Sequence, residues 1–175
     1  MDVPQAWLVR PREALYDLDN IQLSALSKED TVKGVQALFE LDFLVAEGHA
    51  RHTDSNSPPR GVQLQLTNGN GTSIDDTQIV ATLGYLQFKA TPGIFQLEIR
   101  EGRGRDIFEL ESAGNDGWES PSVEAVGSEI TVTSFEGITL YPRLQRRPGM
   151  EAEDVLMEPQ ESIKPPSLIG NVFSR

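Results

Sequence analysis

Cysteine is absent from the 175-residue chain, which excludes a disulfide framework, a thiolate-bound zinc and a cysteine nucleophile. Histidine is nearly absent: His49 and His52, flanking Arg51, are the only two. A zinc site built on them would lack a third imidazole and would need Asp54 as a carboxylate ligand, so two solvated loop histidines are the preferred reading. Positive charge is scarce, with 15 Lys and Arg against 27 Asp and Glu and a formal net charge of −12. Phosphate recognition needs clustered Lys and Arg, so this balance argues against nucleic-acid binding and against attraction to an anionic membrane. Long apolar runs are missing too. None approaches the ~20 residues of a membrane span, and the opening Met1-Asp2-Val3-Pro4 has neither the basic nor the apolar part of a signal peptide. Neither nucleic-acid binding nor membrane insertion is therefore expected.

What is present is period-two alternation, the pattern of strands with one buried face. Val35, Ala37, Phe39, Leu41, Phe43 and Val45 mark one face of a long segment, whose opposite face carries Gln36, Glu40 and Asp42 and is interrupted by Leu38 and Leu44. Further strands read at Val62-Leu64-Leu66, Ile79-Ala81-Leu83-Tyr85, Phe95-Leu97-Ile99, Phe108-Leu110, Ile130-Val132 and Ile138-Leu140. Trp7 to Val9 and Ile21 to Leu23 add two short edge strands. Turn residues separate the runs: Asn68-Gly69-Asn70-Gly71, a tight hairpin at Thr91-Pro92-Gly93, Gly102 to Gly104, and Asn115-Asp116-Gly117. Gly84 inside a strand signals a bulge or a close backbone approach. The expectation is an all-β fold, an antiparallel β-sandwich of about seven to nine strands. It spans residues 1–147, and residues 148–175, punctuated by Pro148, Pro159, Pro165 and Pro166, read as a proline-rich linker.

No motif completes a catalytic constellation. Asp17-Leu18-Asp19 has the form of the paired carboxylates that hold a metal and a nucleotide-sugar diphosphate, but that chemistry needs a preceding buried strand of a doubly wound sheet, and none precedes it; a solvated turn is preferred. Gly102-Arg103-Gly104 lacks the following helix of a phosphate-binding loop and reads as a hairpin turn. Arg103 and Arg105, with Arg100, form a local basic cluster in an acidic chain, as do Arg143, Arg146 and Arg147. Both fit an acidic partner or ordinary strand-end charges. Asn70-Gly71-Thr72 fits an N-glycosylation acceptor in an exposed loop. Trp118, in a loop, and Leu86 or Phe88 are candidate apolar contacts for a partner, against the common alternative of core packing.

Taken together, Tyr16-Asp17-Leu18-Asp19-Asn20-Ile21, Phe39-Glu40-Leu41, Glu47-Gly48-His49, Pro58-Pro59-Arg60-Gly61, Leu83-Gly84-Tyr85 with Gln87, Pro92-Gly93 and Arg100-Glu101-Gly102-Arg103 with Asp106-Ile107 resemble the UDP-glucose:glycoprotein glucosyltransferase family. The part resembled is the β-sandwich that precedes the catalytic domain. The motifs cover about the first two thirds of the chain and thin out from Ala113 onward, while Thr82 and the double-glycine loop from Asn68 to Gly71 depart from the family pattern. The resemblance implies a parent enzyme of the endoplasmic reticulum lumen that moves glucose from UDP-glucose onto high-mannose N-glycans of misfolded glycoproteins. It implies calcium in a catalytic domain outside this chain, no cofactor and no catalytic or metal-binding residue in the chain itself, and a monomeric module beside thioredoxin-like and catalytic domains. A stand-alone carbohydrate-binding, lectin-like sandwich is the alternative.

Overall fold

A computed structural model describes residues 2–157 of the chain. Eleven strands are formed among these residues: β1 (Trp7–Ala14), β2 (Ala37–His49), β3 (Arg51–His52), β4 (Gln63–Thr67), β5 (Ser73–Gln78), β6 (Tyr85–Ala90), β7 (Gly93–Ile99), β8 (Phe108–Ser112), β9 (Glu129–Val132), β10 (Ile138–Leu140) and β11 (Arg143–Arg146). The helices are short: α1 (Lys28–Lys33), α2 (Arg103–Ile107) and α3 (Val123–Val126), with a 3-10 turn at Leu23–Ala25. The all-β expectation holds in part: the fold is mostly β, with three short helices. The edge strand expected at Ile21 to Leu23 does not form: both residues are exposed and no strand pairs with them.

Three sheets are built, ordered β1-β2-β10 with β6 also on β2, then β3-β11-β8, then β5-β4-β7-β9. Pairing is not purely antiparallel as expected, since β10 runs parallel to β2 and β11 parallel to β3. The cause lies in the chain path. β2 continues through Ala50 into β3, while β10 continues through Tyr141 and Pro142 into β11, so two long bent strands travel side by side in one direction. The Arg51 N–H donates to the Pro142 carbonyl at 3.0 Å across the bend. Gly48 permits the approach, because a Cβ there would lie 2.0 Å from the Leu140 carbonyl oxygen.

The long alternating segment does form β2, with a change of phase inside it. Against β1 the register runs Leu8 to Phe43 and then Val9 to Leu41, leaving Asp42 as an extra, bulged residue. The bulge turns Leu44 and Ala46 into the core on the side where Leu41 packs, which explains why Leu44 broke the apparent polar face. Another pattern concerns Thr91-Pro92-Gly93. The flanking strands β6 and β7 belong to different sheets, so the connection is a corner between sheets and no hairpin. Leu86, Phe88 and Ala90 of β6 and Phe95, Leu97 and Ile99 of β7 are all buried in one core, an outcome reached when the chain folds over between layers.

Residues 79–84 form a turn rather than a strand. Val80 N–H donates to the Tyr85 carbonyl and Gly84 N–H to the Val80 carbonyl, at 2.9 and 2.7 Å. Gly84, at φ +72, is the close approach its position signalled: a Cβ would meet the Ala50 carbonyl oxygen at 2.4 Å. The core that results joins Leu44, Leu64, Phe88, Leu97, Phe108, Ile130, Leu140 and Leu144 from all three sheets.

Candidate functional site

The side chains with most chemistry gather at the end of the fold where α2, β8 and β11 meet the segment after Arg147. Gly102, at φ +134, reverses the chain out of β7, and the short helix α2 follows it directly. That helix corrects the hairpin-turn reading of Gly102-Arg103-Gly104; at five residues it is a single turn that aims Arg103 along the surface. Gly104 and Ile107 are buried on its inner side.

Arg103 and Arg146 hold the segment beyond the last strand. Arg103 donates from Nε to the Asp154 carbonyl at 2.9 Å and from Nη2 to the Glu153 carboxylate. Arg146, from β11, donates from Nη1 to the carbonyls of Met150 and Glu153 at 3.0 and 2.6 Å. Its guanidinium lies 4.7 Å from the centre of the Phe108 ring, a cation–π arrangement that fixes the arm. Arg147 donates from Nε to the Arg105 carbonyl at 3.1 Å, tying the same segment to α2. Beneath the arginines, Met150 and Val155 pack against the core, and Leu156 sits so close to Gly61 that a Cβ there would lie 2.7 Å from its Cδ2. Residues 148–157 thus form a strap fastened to the body, and residues 158–175 of the proposed linker lie outside the described residues.

Arg143 makes a second anchor on β11. Its Nε donates to the Glu111 carboxylate at 2.7 Å, Nη2 to the Ser120 carbonyl at 2.9 Å and Nη1 to the Trp118 carbonyl. The loop so held presents Trp118, 38% exposed, edge-on to Tyr141 with ring centres 5.0 Å apart. Trp118 is therefore accessible. Leu86 and Phe88 are not: at 1% and 0% exposure they are core residues of β6, and their inward parity follows from β6 pairing with the buried half of β2. They offer no partner contact. Arg105 is half exposed and faces Glu101 at 3.9 Å, apart from the clamp.

Asn70 stands exposed at the tip of the β4–β5 hairpin, where the Asn68 side chain accepts from the N–H groups of Asn70 and Thr72 at 3.1 and 2.9 Å. Asp17 accepts the Asp19 N–H at 3.1 Å, a local turn. The two histidines diverge: His49 packs edge-on to Tyr85, and His52 lies tilted against Phe108 with ring centres 4.9 Å apart. Burial, helped by the Arg146 charge and opposed by Asp54, holds the His52 imidazole below its ordinary pKa. Among the described residues no three His, Asp or Glu side chains converge as a metal site on side chains alone would require.

Comparison with known proteins supplies what geometry alone does not. The sequence pattern of the family described as UDP-glucose:Glycoprotein Glucosyltransferase matches residues 47–157. The chain belongs to the UDP-glucose:glycoprotein glucosyltransferase family. Its likeness to the Drosophila melanogaster enzyme of that name is 33% identity over 175 residues, 99% of this chain and 11% of the relative. The Homo sapiens UDP-glucose:glycoprotein glucosyltransferase 1 is 35% identical over 90% of this chain and 10% of its own length. A Dictyostelium discoideum relative, a probable UDP-glucose:glycoprotein glucosyltransferase A, is 32% identical over 89% of this chain. The chain therefore spans about a tenth of the length of these relatives. The family pattern extends to Met157, well beyond Ala113, where the recognisable motifs thin out.

Residues 148–157 read as the start of a linker because Pro148 and the acidic residues Glu151, Glu153 and Asp154 resemble one. The sequence also carries the opposite signal in Val155, Leu156 and Met157, apolar residues at a density linkers seldom carry and able to dock on a neighbouring surface.

Proposed function

We propose that this chain is a non-catalytic β-sandwich module of a reglucosylating enzyme, and that it holds the chain leaving it in a fixed direction toward the catalytic domain. The enzyme as a whole would transfer glucose from UDP-glucose to N-glycans of misfolded glycoproteins in the lumen of the endoplasmic reticulum, with calcium held by the catalytic domain. Thioredoxin-like domains would be its other neighbours. The observation that carries the reading is the double-arginine clamp: Arg103 and Arg146 together satisfy three backbone carbonyls and one carboxylate of residues 150–154. A free linker has no use for such bonds, whereas a strut between rigid bodies depends on them. Trp118, held out by Arg143, supplies an apolar contact for clients.

The test is a chimera in which this chain replaces the matching region of the Drosophila relative. It should transfer glucose to a misfolded glycoprotein. The same chimera with Arg103→Ala and Arg146→Ala should lose most transfer while the sandwich stays folded. Full transfer by the double variant, with residues 148–157 released, refutes the reading.

A lectin-like module is the second reading, favoured by the exposed Trp118 on Tyr141, since sugars stack on such rings. Calorimetric titration with high-mannose glycans separates the two: submicromolar binding, lost in Trp118→Ala, supports the lectin.

A further inference from the structure

Among the described residues, the half of β2 from residue 37 to residue 41 is paired on one side only. Over residues 44–49 the strand has β6 along one edge, while β1 and then β10 follow each other along the other. Below the Asp42 bulge only β1 remains, so among the described residues the opposite edge of Ala37-Leu38-Phe39-Glu40-Leu41 carries no strand. The two outer edges of this ribbon differ. Along β1, Pro11 has no N–H to offer and Arg12 bulges out of register, the devices by which edges are blunted. Along β2 from 37 to 41 there is no proline, lysine or bulge. Leu38 is half exposed there, an apolar side chain beside unpaired backbone.

We infer that this edge accepts an extended polypeptide segment that alternates apolar and basic side chains, adding a strand to the sheet. Backbone groups of residues 37–41 supply the hydrogen bonds and alternate side chains supply selectivity. Ala37, Phe39 and Leu41 share the face on which Leu41 packs against the core, so the incoming strand places apolar residues on that side. On the other face stand Leu38 and Glu40, with Asp42 beside them at the bulge. One guanidinium serves both carboxylates: Arg10 Nε is 2.7 Å from Glu40 and 3.8 Å from Asp42. Among the described residues no second cation pairs with these carboxylates, and the open edge leaves room for one beside them. A basic residue on the added strand supplies it. A second copy of this chain fits poorly, because pairing two such edges gathers four carboxylates against two guanidiniums on chains that each carry a net charge of −12.

The probe is a short peptide alternating arginine and valine, added to the 175-residue chain and followed by amide hydrogen exchange and fluorescence anisotropy. The expected result is saturable binding with slowed exchange confined to residues 37–41. Binding should weaken about tenfold or more in Leu38→Lys, which puts a like charge beside the incoming strand. A peptide of the same charge interrupted by prolines, and one with glutamate in place of arginine, should not bind. Equal binding of the proline-interrupted peptide means bulk charge attraction and overturns the proposal. So does protection elsewhere in the chain, or self-association through residues 37–41. Leu38 is half exposed, so its variant stays folded and its circular dichroism checks this.

Discussion

Replacing Arg103 by alanine should release residues 148–157 without unfolding the three-sheet body. The side chain is 24% exposed and its carboxylate partner Glu153 44% exposed, so the ion pair contributes at the low end, about 0.5 kcal/mol after solvent screening. The bond from the charged guanidinium to the Asp154 carbonyl adds about 1 kcal/mol. Together these amount to about 1.5 kcal/mol, or about tenfold in the equilibrium for opening the strap. Arg146 keeps its own two carbonyl bonds, so the opening stays local. Amide hydrogen exchange reads it directly. Met150, Glu153 and Met157 donate to carbonyls within or beside the strap, and their exchange should accelerate about tenfold in Arg103→Ala while Leu64 and Leu97 are unchanged. Arg103→Lys should fall between, since an ammonium lacks the fork that reaches two acceptors. Unchanged exchange in the strap refutes the reasoning. Equal acceleration throughout the chain also refutes it, because Arg103 would then be supporting the whole fold.

Three other outcomes follow from the packing. Gly48→Ala drives a methyl group into the Leu140 carbonyl and should cost at least about 3 kcal/mol in denaturant unfolding, since backbone cannot step aside as a side chain can. Thr67→Val should raise stability by about 1 kcal/mol, because the Thr67 hydroxyl is buried at β4's end without a hydrogen-bond partner among the described residues. For His52 the folded pKa lies below the unfolded value near 6.5, so the unfolded chain takes up its proton first as pH falls and stability declines through that window. His52→Phe keeps the ring against Phe108 and should flatten the fall in melting temperature between pH 7 and 5, by about the scale that linkage assigns to one titrating group.

Much of this architecture was legible in the sequence. Period-two alternation marked β4, β7 and β9 because each has one buried face, and it marked β2 although the unbroken buried run there spans only Leu44 to Ala46. β5 escaped notice for the opposite reason: Ser73-Ile74-Asp75-Asp76-Thr77-Gln78 lies at a sheet edge, buries little, and is held by backbone bonds to β4. Asp75 even turns its carboxylate to the Lys89 N–H at 2.7 Å, a bond no apolar pattern announces. The Asp42 bulge was hidden because a phase change within one strand looks like noise in an alternating pattern. Topology was the least readable feature. Two parallel pairings and a sheet-to-sheet corner at Pro92 depend on which strands meet across the core, information that alternation along a single strand does not contain. At the site, arginines at 103, 105, 143, 146 and 147 were visible as clusters, but their targets were not. Most of them bind carbonyl oxygens of distant segments, and backbone acceptors leave no trace in composition.

Incubation of the 175-residue chain alone with UDP-glucose bearing labelled glucose, calcium and a denatured high-mannose glycoprotein tests the non-catalytic assignment most directly. The account predicts label on the glycoprotein no higher than in a protein-free control. Calcium-dependent transfer above that control would contradict it.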